Sequence, residues 1–145
     1  MILSYIGMVC ALGFSAIGSC FGAGAAGLAA VGSWKKCYSN GKPAPFIFIA
    51  FAGAPLTQTI YGLLLMTFIR SRFNVDPTRE LLYLSTGVLG GLAIGLSALF
   101  QGRVAASSAD ALGETGKGTA NYFITIGVVE TVALFTLVFS LLMLQ

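Results

Sequence analysis

The sequence predicts an all-α membrane protein whose four transmembrane helices form two tandem helical hairpins. Composition is the first reason: the 145 residues are 57% hydrophobic and only 9% charged, and a mean hydropathy of +0.89 lies far from that of a soluble domain. Segmentation is the second. Residues 2–31, 43–69 and 81–101 are free of charge, and 121–144 holds only Glu130, so each reaches the roughly 20 apolar residues that a bilayer core demands. The third is internal repetition.

The repeat is visible at two places. "FGAGAAG" (21–27) aligns with "QGRVAAS" (101–107) at an offset of 80, and "TQTIYG" (57–62) aligns with "VETVAL" (129–134) at an offset of 72. The second alignment pairs Gln58 with Glu130 and Thr59 with Thr131. The offsets differ because the first connection, "SWKKCYSNGKPAP", is longer than its partner "GETGKG". We therefore divide the chain into a first hairpin, 1–72, and a second, 73–145, which carries the acid, within a single membrane domain. A hairpin repeated in tandem leaves both copies pointing the same way across the bilayer, so equivalent residues should lie level.

Helix 1 begins apolar, as a signal peptide does, but a signal peptide has a basic n-region and the first basic residue here is Lys35. It is read as a retained helix. Its Gly18, Gly22, Ala26 and Ala30, like Gly87, Gly91 and Gly95 of helix 3, repeat every four residues. Such stripes let backbones approach closely in lipid. Helices 2 and 4 carry the bulkier aromatics, Phe46, Phe48, Phe51, Phe68, Phe123, Phe135 and Phe139, which suggests a tight inner pair and a bulkier outer pair. In helix 2, Pro55 cannot donate to the carbonyl of Phe51, which frees backbone carbonyls near Ala54. Before helix 3, "VDPTRE" offers Asp76 as N-cap and Pro77 as first helical residue. Cys10, Cys20 and Cys37 are an odd count with no metal-ligand spacing, and read as small apolar fillers plus one free loop thiol.

The remaining charges fall near helix ends or in connections: Lys35, Lys36 and Lys42 in the first; Arg70, Arg72, Asp76, Arg79 and Glu80 in the second; Arg103, Asp110, Glu114 and Lys117 around the third. The net charge of +3 is thus a loop property, explained by lipid headgroups. It gives no reason to expect a nucleic acid partner.

Glu130 is the exception. A carboxylate at mid-membrane costs about 2.5–3.5 kcal/mol on insertion scales, so it is a functional candidate. Gln101 lies twelve residues before Gly113 and Glu130 twelve after Gly118, about 18 Å from the turn in each case, so the two should meet. No Lys or Arg is expected level with it, which leaves a proton, a metal cation or an arginine on another protein. On helix 2, Thr57, Gln58 and Tyr61 share one sector. With Gln101 and Glu130 they supply oxygen ligands and a single negative charge, a set suited to a small monovalent cation rather than zinc or copper.

These residues resemble the duplicated four-helix proteolipid, the K or c subunit, of the rotor ring of V-type and archaeal-type ATPases. The resemblance runs from "GSCFGAG" through "APLTQTIYG" and "FQGRVAA" to "VVETVAL", and its form is similar to the sodium-binding version. It implies that Glu130 carries the ion, that Thr57, Gln58 and Gln101 give side-chain oxygens, that Ala54 gives its carbonyl, and that Tyr61 hydrogen-bonds Glu130 to lock it. Ala54 stands where leucine is common, and Leu56 and Thr59 replace glycines near the Thr-Gln pair. The implied cargo is Na⁺, with Li⁺ tolerated and H⁺ as the alternative. The implied function is ion translocation by a non-catalytic, homo-oligomeric ring coupled to ATP hydrolysis elsewhere. Its partners would be membrane lipid, a stator subunit bearing a membrane arginine, and a central-stalk subunit.

The same resemblance implies a multi-pass protein of a prokaryotic plasma membrane, with termini outside and connections one and three in the cytoplasm at the stalk. Five basic residues around those connections against three at the middle one agree with this. Gln58 standing where the second hairpin has Glu130 leaves one ion per four helices, a low ion-to-ATP ratio that favours a pump. Two rivals use other chemistry. A small four-helix drug exporter also relies on one membrane glutamate, but favours an aromatic cage around it and lacks duplicated halves. A four-helix glutathione transferase needs clustered arginines, and only Arg103 nears the membrane region.

Overall fold

A computed structural model describes residues 1–145. Its elements are α1 (Ile2–Ser39), α2 (Phe48–Gly53), a 3₁₀ turn (Ala54–Leu56), α3 (Thr57–Val75), α4 (Glu80–Thr115) and α5 (Thr119–Met143). Taking α2, the turn and α3 as one rod, four helices are long and apolar enough to cross a membrane. The protein is all-helical, as the sequence predicts.

The glycine stripes decide the packing. α1 and α4 share the largest interface, and along it side chains have no room. A Cβ on Gly7 or Gly18 would overlap the backbone of Tyr83 or Gly95, and one on Gly87 or Gly102 would overlap Gly7 or Gly22. Gly7 faces Gly87 and Gly22 faces Gly102, both at the repeat offset of 80, so equivalent residues of the two hairpins do lie level. α3 and α5 flank this pair. α5 is the least buried, covering only Ile126, Ala133 and Leu137, and exposes Val128, Val132, Phe135 and Phe139.

Several boundaries differ from the sequence reading. α1 and α4 have 38 and 36 residues, about 57 and 54 Å at 1.5 Å per residue, far beyond a hydrocarbon core of about 30 Å. Lys35 and Lys36 therefore lie in α1, and Arg103, Asp110 and Glu114 in α4, rather than in connections. Cys37 is not a loop thiol: it is buried in α1, with its Sγ 3.8 Å from the Gly113 carbonyl. Asp76 does not cap helix 3. Its backbone is extended (φ −138°, ψ 92°), the conformation a following proline enforces, and its carboxylate accepts the Thr78 amide and hydroxyl. α4 starts at Glu80 instead, and the turn joining the hairpins spans residues 76–79.

Ties across the hairpins hold the end bearing connections one and three. Ser33 donates to the Ala109 carbonyl at 3.0 Å, and Lys36 meets Glu114 at 2.9 Å on the exposed rim. Trp34 Nε1 donates to the Pro45 carbonyl at 2.8 Å, pinning the chain where it re-enters the membrane region. At the other end Tyr83, buried against Phe73, donates to the Asp76 carbonyl at 2.8 Å and anchors the inter-hairpin turn. Gln58 and Gln101 touch, so α4's extra length protrudes at this end.

Candidate ion-binding site

Pro55 sets the site up. Lacking an amide hydrogen, it breaks the α-helical ladder, and the chain tightens into a 3₁₀ turn over Ala54–Leu56 before α3 begins at Thr57. The first turn of α3 then presents Thr57, Gln58 and Tyr61 toward the second hairpin. α4 contributes Gln101, and α5 contributes Glu130.

All the side chains singled out from the sequence come together. Tyr61 donates to Glu130 Oε1 at 2.7 Å, Thr57 Oγ1 lies 2.8 Å from the same oxygen, and Gln101 Nε2 lies 3.3 Å from Oε2. Gln58 Nε2 donates to Gln101 Oε1 at 2.7 Å. Both glutamines are fully buried, whereas Glu130, Thr57 and Tyr61 are half-buried. The carboxylate thus rests on a polar floor and opens to one side.

Thr57 sits among the oxygens of the cluster. Its hydroxyl has one hydrogen, yet three acceptors surround it: the Ala54 carbonyl at 3.0 Å, Gln58 Oε1 at 3.1 Å and Glu130 Oε1 at 2.8 Å. It satisfies one of them. The Ala54 carbonyl also accepts the Thr57 amide and Glu130 Oε1 also accepts the Tyr61 hydroxyl, and each oxygen keeps a further lone pair that a bound cation would use. Thr57 Oγ1, Gln58 Oε1, Glu130 Oε1 and the Ala54 carbonyl are the oxygens that could hold a monovalent cation, with one carboxylate among them.

Gln101 departs from the set that the resemblance implies. Its oxygen is taken by Gln58, and its nitrogen faces both Glu130 and the Ile126 carbonyl, 3.2 Å away. That carbonyl can only accept, which fixes the amide's orientation. Gln101 here grips the acid as a donor. One contributor escaped the sequence reading: Ser97, a turn before Gln101 on the same face of α4, donates to the Val129 carbonyl at 2.9 Å and fastens α5 beside the acid. Its spacing of four from Gln101 was the available signal.

Fold and site define a multi-pass membrane protein that holds one acid in a polar cluster between two hairpins. Residues 84–143, most of the second hairpin, match the family model of the ATP synthase C-subunit. This match includes Gln101 and Glu130, and it is the part of the chain on which the acid is carried. No curated protein matches the chain.

Proposed function

We propose that this chain is a non-catalytic rotor-ring subunit of an ion-translocating rotary ATPase, of the duplicated V-type form, and that Glu130 carries one Na⁺ per chain. The match of the second hairpin to the ATP synthase family model supports the rotor class. Sodium is supported by one observation above all: the gathering of the Ala54 carbonyl, Gln58 Oε1 and Glu130 Oε1 around Thr57 Oγ1, an all-oxygen set with a single carboxylate. In this reading Thr57, Gln58, Glu130 and Ala54 give oxygens to the ion, Tyr61 locks the carboxylate, and Gln101, an oxygen ligand by the resemblance, instead steadies the acid through its amide nitrogen.

Electrostatics supplies the cycle. With sodium bound the site is neutral and passes through lipid at low cost; with the ion gone, the carboxylate needs water or a cationic partner. A stator arginine is the partner that fits, and rotation of a ring past two offset access paths moves the ion across. One carried ion per four helices suits a pump. Prokaryotic plasma membrane, a stalk at connections one and three, and tolerance of Li⁺ belong to the same proposal.

The second reading is a proton-carrying ring. Against it, Tyr61 and Gln101 approach the two Glu130 oxygens as donors, an arrangement that serves an ionised, acceptor-only carboxylate. Carbodiimide labelling of Glu130 in the purified protein separates the two, since the reagent attacks the protonated carboxyl. NaCl at neutral pH should protect Glu130; labelling indifferent to sodium transfers the assignment to the proton.

A further inference from the structure

α1 brings to the level of the ion site a hydroxyl that the fold leaves idle. Ser19 is 2% exposed, and its Oγ has no hydrogen-bond partner. Buried hydroxyls normally find one, and the other serines show how. Ser15 and Ser108 donate to the carbonyls four residues earlier, and Ser33 and Ser97 reach carbonyls on neighbouring helices. Ser19 could turn to the Ser15 carbonyl in the same way and does not.

Register shows what Ser19 faces. α1 and α3 run antiparallel, and a Cβ on Gly62 would strike the Ser15 side chain while one on Gly22 would meet Pro55. Seven residues separate these two contacts on each helix. Four residues on from Ser15 is Ser19, and four back from Gly62 is Gln58. A step of four keeps a residue on the same helix face and moves it about 6 Å along the axis. Ser19 and Gln58 therefore stand opposite each other.

Gln58 has the matching loose end. An amide nitrogen carries two hydrogens. Gln58 Nε2 gives one to Gln101 Oε1 at 2.7 Å and makes no other hydrogen bond, although the residue is fully buried. Its Oε1 lies 3.1 Å from Thr57 Oγ1, among the oxygens gathered for the ion. An idle amide hydrogen and an idle hydroxyl thus face each other without touching, the setting in which a buried water bridges two polar groups.

We propose that Ser19 is a positioning residue for the ion site, acting on Gln58 through one buried water. The water accepts the second amide hydrogen of Gln58 and donates to Ser19 Oγ. In the sodium reading above, on which this role rests, Gln58 Oε1 is an ion ligand. With both Nε2 hydrogens engaged, the amide is held in the plane that aims this oxygen at the Thr57 side; with one released, it turns more freely. Partners of this kind orient the ligands that touch a metal, and their loss lowers affinity without removing a ligand.

The test uses the full-length purified protein, with sodium followed by carbodiimide protection of Glu130. Ser19→Ala should raise the half-protecting NaCl concentration about tenfold, the low end for loss of a group that orients a metal ligand, at an unchanged melting temperature. Ser4→Ala is the matched control. Ser4 Oγ is the other buried oxygen without a partner, but it lies fifteen residues away along α1, about 22 Å, and its loss should leave sodium protection as it was. In protein labelled with nitrogen-15 at the glutamine side chains, a Gln58 amide proton should cross-relax with water in wild type and cease to do so in Ser19→Ala, while the Gln145 pair stays unchanged. Equal sodium dependence in Ser19→Ala and wild type overturns the proposal, and so does a wild-type Gln58 amide with no water contact. Should Ser19→Ala fail to fold, the wild-type water contact decides alone. Absence of sodium protection from wild type strikes the sodium reading, and the Gln58 resonances still decide whether Ser19 holds that amide.

Discussion

Replacing Tyr61 by Phe removes one hydroxyl and little else. The ring packs against the core cluster of Met8, Leu65 and Ala133, and phenylalanine keeps that contact, so melting should change little. What disappears is the 2.7 Å bond to Glu130 Oε1. A hydrogen bond to a charged group is worth about 1.5–3 kcal/mol. Glu130 retains Thr57 and Gln101, and the site is half-open, so the lower figure applies. About 1.4 kcal/mol is tenfold. The NaCl concentration that half-protects Glu130 from carbodiimide should therefore rise about tenfold in Tyr61→Phe. An unchanged half-protecting concentration in a normally melting protein refutes the idea that this phenol holds the carboxylate for the ion.

Thr57→Val, which keeps shape but removes the shared oxygen, should weaken sodium protection more than Tyr61→Phe in the same assay. Gln58→Leu leaves the buried Gln101 oxygen without its donor and should lower stability by about 1–3 kcal/mol, read by thermal melting in detergent. Gly102→Ala puts a methyl into the Gly22 backbone and should cost about 1–3 kcal/mol or more, whereas Gly24→Ala, with open space around it, should melt like wild type. The Thr78 hydrogen bonds hold the Asp76 carboxyl below its ordinary value of 3.8. Its contribution to the inter-hairpin turn is thus present above that value and lost as pH falls through the lower, folded one. The Thr78 amide resonance should shift in that acid window and stay flat in Asp76→Ala.

What the sequence revealed was governed by short-range rules. Charge-free length marked the four spanning rods, and the offset of 80 implied that equivalent residues lie level, as the contacts of Gly7 with Gly87 and of Gly22 with Gly102 show. The meeting of Gln101 with Glu130 followed from counting back from one turn, because two helices joined by a tight connection share a depth scale. Helix ends were less legible. Asp76 and Pro77 look like a helix start, but Asp76 finds local acceptor work two residues on, and the following proline keeps it extended. The reach of α1 and α4 past the membrane was hidden because charged residues do not stop a helix; only the hairpin-to-hairpin ties at Ser33 and Lys36 show why it continues. Least legible was which end of the Gln101 amide faces the acid. That depends on the Ile126 carbonyl and on Gln58, 43 positions away in sequence.

The direct measurement is equilibrium binding of radioactive sodium to the purified protein at neutral pH, beside Glu130→Gln. Saturable binding of one ion per chain, abolished in the variant and displaced by lithium, is the predicted result. A protein that melts normally yet takes up no more sodium than Glu130→Gln contradicts the account.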